Sequence, residues 1–129
     1  MTNKEIIRKF FLYGYVNLDF EALHEIVAKD YLDHSPCHAR SCDECIAALK
    51  NTASGFSDME TEIQDMIEED DKVAVRILFT CIHRGGYNIP ETGNKVSFEA
   101  LETFRLEDGM IVESWGYWPN TTILNQISQ

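Results

Sequence analysis

The sequence predicts an α+β fold in which three N-terminal helices segregate onto one face of a mainly antiparallel sheet. Three observations carry this expectation. Two capping-box signatures open apolar stripes of helical spacing in the first half of the chain. The apolar period then changes from helical to two near Asp58. The strand-like runs that follow are joined by short turn signals, which is the pattern of hairpins, with helices gathered on one side.

The elements follow in order. Thr2-Asn3-Lys4-Glu5 has capping-box spacing, and Ile6, Ile7, Phe10, Phe11 and Gly14 extend a first amphipathic helix to about Tyr15. Asp19 is placed to cap a second helix with Phe20, Leu23, Ile26 and Val27 on its apolar face. "YLDHSP" at 31–36 reads as a short extended segment ended by Pro36. Ser41-Cys42-Asp43-Glu44 opens a third helix with the stripe Cys42, Cys45, Ile46, Leu49, Ala53 and Phe56.

The strands begin near Asp58, with Met59, Thr61, Ile63, Asp65 and Ile67 sharing one face. Asp70-Asp71 turns the chain into the longest run, where Val73, Val75, Ile77, Phe79, Cys81 and His83 share a face. "PETG" at 90–93 is a turn, after which Phe98, Ala100, Glu102, Phe104 and Leu106 alternate with Glu99, Leu101, Thr103 and Arg105. Asp108-Gly109 is a two-residue hairpin signal, since both central positions of a type I′ turn need positive φ. Strict alternation through the last strand places Ile111, Glu113, Trp115 and Tyr117 on one face, with Val112, Ser114 and Trp118 opposite. Arg105 and Glu113 become near cross-strand neighbours, suited to an ion pair.

Residues 1–129 carry no linker, repeat or low-complexity segment and read as one domain. Eleven basic against 22 acidic side chains give a net charge of −11. That sign opposes both nucleic acid and anionic membrane, and no apolar run reaches the roughly 20 residues of a bilayer span. The N-terminus lacks the layout of a secretory signal, so the expected compartment is the cytoplasm. The long strands are bulky on both faces, which predicts a homodimer through the outer sheet face.

Two groups of residues could carry chemistry. His34, Cys37, His38, Cys42 and Cys45 offer five zinc-type donors within twelve residues. Cys42 and Cys45 also lie on an apolar helix stripe, where cysteine acts as a small hydrophobe, and no second paired motif completes a zinc pattern. His83 and Glu102 interrupt otherwise apolar inward faces. An enclosed glutamate has a raised pKa and can serve as general acid or base, or it can meet a cation in a structural pair.

These segments also resemble the SnoaL-like polyketide cyclases. "YLDHSP" is similar to their extended histidine segment. The ordered series "DDKVAVR", "HRGGY", "PETGNKVSF" and "FRLEDGMIVESW", with the trailing "ILNQI", is similar to their strand region. The resemblance implies the cone-shaped α+β barrel of the nuclear-transport-factor-like superfamily, with a curved sheet around a pocket closed by helices. It implies ring closure by intramolecular aldol chemistry without a cofactor, and it turns the Trp115 face toward the pocket. The family's acid/base aspartate falls where this chain has Pro119, or Asn120 if the register slips by one. Proton transfer would then rest on His34, His83 or Glu102, and flat apolar contact on Tyr31, Phe79, Phe104, Trp115 and Tyr117. The expected ligand is a small apolar molecule, polyketide-like or cyclic. A binding module without catalysis is the alternative, and a zinc or thiol protein the outsider.

Overall fold

The computed structural model describes residues 1–129 as three helices packed on an open five-stranded sheet. Thr2 caps the first helix, α1 (Asn3–Phe11), its hydroxyl accepting the Glu5 amide, and Ile6, Ile7, Phe10 and Phe11 are buried beneath it. The helix widens into a π turn over Leu12–Val16 that carries Tyr13 and Tyr15 against the core. The segment expected as a second α-helix is a five-residue 3₁₀ turn, Glu21–Glu25. Its intended stripe is divided, because Val27 already begins strand β1 (Val27–Asp33), with the tyrosine and aspartate of "YLDHSP" at its end.

Ser41 caps α2 (Cys42–Gly55) by accepting the Glu44 amide, while the Glu44 carboxylate reaches back to the Arg40 amide. The remaining strands are β2 (Phe56–Glu69), β3 (Lys72–His83), β4 (Lys95–Glu107) and β5 (Met110–Tyr117). The third α-helix is C-terminal: α3 (Asn120–Ile127) buries Ile123 and Ile127. Strand order is β1-β5-β4-β3-β2, with β1 parallel to β5 and every other pair antiparallel. The sheet is therefore mixed and does not close, leaving β1 and β2 as its edges.

The inward faces of β3 and β4 match the alternation read from sequence. Val73, Val75, Ile77, Phe79, Cys81 and His83 are all buried, as are Val96, Phe98, Ala100, Phe104 and Leu106. Asp108 and Gly109 both have positive φ (49° and 78°), as the hairpin signal requires. Elsewhere bulges reset the pattern. In β2, Ile63 pairs with Ile77 and Asp65 with Arg76, so Gln64 is the additional residue. Met66 then packs on the core and Ile67 turns outward, 66% exposed.

The same event in β5 decides the site. Leu106 pairs with Ile111, but Arg105 pairs with Glu113, so two residues of β5 oppose one of β4 and Val112 is additional. One inserted residue exchanges the two faces for the rest of the strand. Ile111 and Ser114 are both buried, and Gly116 and Trp118 follow Ser114 inward, while Trp115 goes to the outer face. The expectation that Glu113, Trp115 and Tyr117 share a face with Ile111 is corrected by that insertion.

Strand β4 outruns β5, whose last pairing is Tyr117 with Leu101. The exposed backbone at Ser97 is completed by the Gln126 side chain, whose Oε1 accepts the Ser97 amide (2.7 Å) while Nε2 donates to the Ser97 carbonyl (2.8 Å). The Asn94 amide caps the end of α3 by donating to the carbonyls of Gln126, Ile127 and Gln129. No helix is long and apolar enough to cross a membrane.

Candidate functional site

Between the helices and the inner face of the sheet lies a cavity of about 340 Å³. Its floor is the β4–β5 pair, contributing Glu102, Phe104, Ser114 and Gly116; β1 adds Tyr31 and Asp33, and α2 closes it with Cys45, Ala48, Leu49, Asn51 and Thr52. Phe10 and Tyr15 come from the first helical segment, while Tyr117, Trp118 and Asn120 form the end near α3.

Glu102 is the most unusual group in this wall. It occupies an inward position of β4 opposite Gly116, between Ala100 and Phe104. A Cβ at position 116 would stand 2.7 Å from the Glu102 Cγ, so glycine there gives the glutamate its room. Oε2 is enclosed and no protein group donates to it. Glu102 as a residue lines the cavity. Burial lifts its pKa to about 7 and the Asp33 charge adds to the rise, while the Trp118 indole partly opposes it. An acid so placed can give or take a proton near neutrality.

Asp33 is the second carboxylate. Its Oδ1 accepts the Ser35 amide (2.8 Å) and its Oδ2 the Cys37 thiol (2.7 Å), with the Ser114 hydroxyl 3.5 Å away. Ser114 in turn shares a short hydrogen bond with the Tyr31 hydroxyl (2.5 Å). Tyr15 and Tyr31 have strongly raised pKa values, burial being the main cause, and the Glu102 charge contributes to both. They are neutral hydroxyls at physiological pH. Asn120 stands at the start of α3, its carboxamide oxygen accepting from the Tyr87 hydroxyl (2.6 Å).

The structure brings three of the sequence-predicted site residues, Tyr31, Glu102 and Phe104, to the cavity wall, with Tyr117 at its rim, 67% exposed. The others lie elsewhere. Phe79 is fully buried behind the wall, stacked with Phe98 and against Trp118. His34 and Trp115 are on the outer side of the sheet, stacked on each other at 5.0 Å, where His34 Nε2 pairs with Glu113 (2.7 Å). Glu113 also bonds Arg105 as the cross-strand register predicts, and these two partners, His34 first, hold its carboxyl below the usual range.

His83 is inward but filled in. Its Nε2 meets the Gly86 carbonyl (2.8 Å) and its Nδ1 the Thr92 hydroxyl (2.9 Å), so it fastens the β3–β4 loop and does not line the cavity. The zinc reading fails on geometry. Cys37 bonds Asp33, Cys42 approaches His24 at 3.7 Å, Cys45 lines the cavity, and no three metal-type donors converge. Sequence reasoning misses Asp33 and Tyr15 in this wall and reaches Asn120 only through the family resemblance. Asp33 could be found from Tyr31 two residues before it, since positions two apart in a strand share a face. Tyr15 carries no such signal, because a π turn aims it.

The architecture has close counterparts. The chain overlays IdmH from Streptomyces antibioticus, provisionally assigned as a polyketide cyclase, with a TM-score of 0.89, 26% identity and 100% of both chains covered. A provisionally assigned polyketide cyclase from Acidithiobacillus ferrooxidans gives 0.89 at 20% identity, covering 100% of this chain and 99% of that one. AclR from Streptomyces galilaeus, provisionally assigned as a hydroxylase, gives 0.84 at 23% identity, covering 97% and 94%. Among proteins of curated function none matches significantly. The sequence profile described as SnoaL-like polyketide cyclase matches residues 5–127. With the helices, mixed sheet and cavity in place, the chain belongs to the SnoaL-like polyketide cyclase family.

Proposed function

We propose that this protein performs cofactor-independent acid–base chemistry on a small, largely apolar, polyketide-like or cyclic molecule, with Glu102 as the proton carrier. The observation that supports this reading is the enclosed, under-partnered carboxylate of Glu102 with its pKa of about 7 in an aromatic cavity. On the family resemblance the acid/base position falls at Pro119 or Asn120, and neither side chain transfers a proton at neutral pH. Glu102 relocates that role from the end of β5 to the middle of β4. Ionised, it takes a proton from a carbon beside a carbonyl. Protonated, it returns the proton to the rearranged product. Tyr15 and Tyr31 remain neutral and can donate to an enolate oxygen.

The test is solvent exchange of the α-protons of 2-tetralone in D₂O, followed by NMR. Glu102→Gln is expected to slow the enzyme-dependent exchange by roughly 10²- to 10⁴-fold. Equal exchange in both proteins would remove Glu102 from the chemistry. A second reading, a binding module with the same cavity, is favoured by Asn120, whose oxygen is committed to Tyr87. Tight ligand binding without any exchange above buffer would select it. We also propose a homodimer through the outer sheet face and a cytoplasmic setting, where its four free cysteines stay reduced.

A further inference from the structure

We propose that the cavity is built for a ligand that carries a protonated amine on a compact apolar frame, the ammonium pairing with Glu102. This rests on the cavity being the ligand site, as above, but not on turnover. The charge census of the wall comes first: two carboxylates, Asp33 and Glu102, face the space with no lysine, arginine or histidine. Every cation-capable side chain that sequence reasoning associated with the site, His34 and His83, is engaged outside it. An anionic ligand would meet uncompensated like charge there.

The second observation is independent of charge count. Glu102 has one oxygen sealed without a donor, and only the Trp118 indole eases its charge from within the protein, so the charge remains under-compensated. Asp33 differs, since both its oxygens already accept hydrogen bonds from Ser35 and Cys37. The Asp33 charge, which already acts on Glu102, is one that a neutral ligand leaves unbalanced. A hydroxyl could donate to Glu102, but only a cationic N–H both donates and offsets the mutual repulsion of the pair. The third observation is the lining: Phe10, Tyr15, Tyr31, Phe104 and Trp118 present aromatic rings around the same space. Such rings attract a desolvated ammonium through the π quadrupole and accept an apolar ring equally well.

The proposal is tested with a matched series on one frame: 2-aminoindane, 2-indanol and indane-2-carboxylate, titrated calorimetrically at pH 8. The amine is expected to bind at least about tenfold more tightly than the alcohol, a preference of the size a single charge-assisted contact gives. The carboxylate is expected to bind weakest. In Glu102→Gln the amine's advantage should shrink to about threefold or less, as one of two charges is lost. Groups facing Glu102 are Asp33 and Tyr31 from β1, Tyr15 from the π turn and Cys45 from α2. The tyrosines and the thiol have raised pKa values and remain neutral here. Amine affinity should therefore fall about three- to fivefold from pH 8 to pH 6, as Glu102 takes up its proton. An alcohol as tight as the amine, a carboxylate tighter than either, or no amine binding below about 10 mM would overturn the proposal. If Glu102→Gln does not fold, the wild-type series and its pH dependence decide alone. A wild-type protein that prefers the amine but exchanges no 2-tetralone protons above buffer would sink the catalytic reading only, and the reverse result would sink this one only.

Discussion

At the scale of single residues, Glu102 shows how a site is held at a cost to the fold. Its folded pKa of about 7 lies above the ordinary carboxylate value of 4.5, so the folded state holds a proton that the unfolded state has released. Stability therefore falls as pH rises from about 4.5 to about 7 and stays reduced above that window. The full shift corresponds to about 3 kcal/mol, an upper bound for a group that reaches a cavity. Glu102→Gln is expected to stabilise the protein by about 1–3 kcal/mol at pH 8, and much less at pH 5, measured by denaturant midpoints at both. Unequal pH dependence is the signature, since a mere packing change would move both midpoints together. Position 102 is legible in the sequence because β4 alternates without interruption and a carboxylate breaks an apolar face. His83 breaks its face in the same way, but two hydrogen bonds within its own loop claim it. Composition cannot separate those two outcomes. His83→Ala should cost about 2–4 kcal/mol in a thermal or denaturant melt, with exchange activity largely kept.

At the scale of elements, the β4–β5 hairpin is legible in its turn and misread in its faces. Asp108-Gly109 fixes where the chain reverses, but nothing in "MIVESWGYW" marks Val112 as the residue left unpaired. A bulge is settled by competition between whole registers. Here one outcome puts Ser114 and Gly116 inward, and the other would force Glu113 and Trp115 into the cavity. The first lets Glu113 pair with Arg105 and His34 in water and gives Glu102 the space over Gly116. Gly116→Ala is expected to destabilise the fold by about 1–3 kcal/mol, because the added methyl must displace the Glu102 stem. It should also abolish binding in the cavity, read by titration of 2-aminoindane. Helix α3 is another element that the sequence hides, as its start carries proline where a side-chain cap is expected. Its anchor is Gln126 on the Ser97 backbone, and Gln126→Ala should cost about 1–3 kcal/mol by leaving two backbone groups unpaired.

At the scale of the whole molecule, fold class and family follow from the order of motifs, whereas the strand count depends on contacts far apart in sequence. The parallel partnership of β1 with β5 joins residues about 80 positions apart, such as Leu32 with Glu113, and no local pattern announces it. The outer face of the sheet carries Ile67, Leu101 and Tyr117, each about two-thirds exposed (66%, 68% and 67%). They sit beside Trp115 and Ala74 on one shallow surface. If this patch pairs two copies, Leu101→Glu should convert the dimer to monomer in sedimentation velocity while leaving the melting curve of the monomer intact. A monomeric wild type would refute the pairing.

Strand β2 (Phe56–Glu69) is the edge of the sheet opposite β1, and no further strand pairs with its outer rim. Such a rim invites a second chain to zip alongside it. Here it bears Glu60, Glu62, Asp65, Glu68 and Glu69, and is interrupted by two register shifts. This acidity also offers colloidal protection, each molecule repelling the exposed rim of the next. That protection can be switched off. With a sequence pI near 4.6, mild acid removes the repulsion while the strand remains, and light scattering should rise steeply as the pH approaches that value.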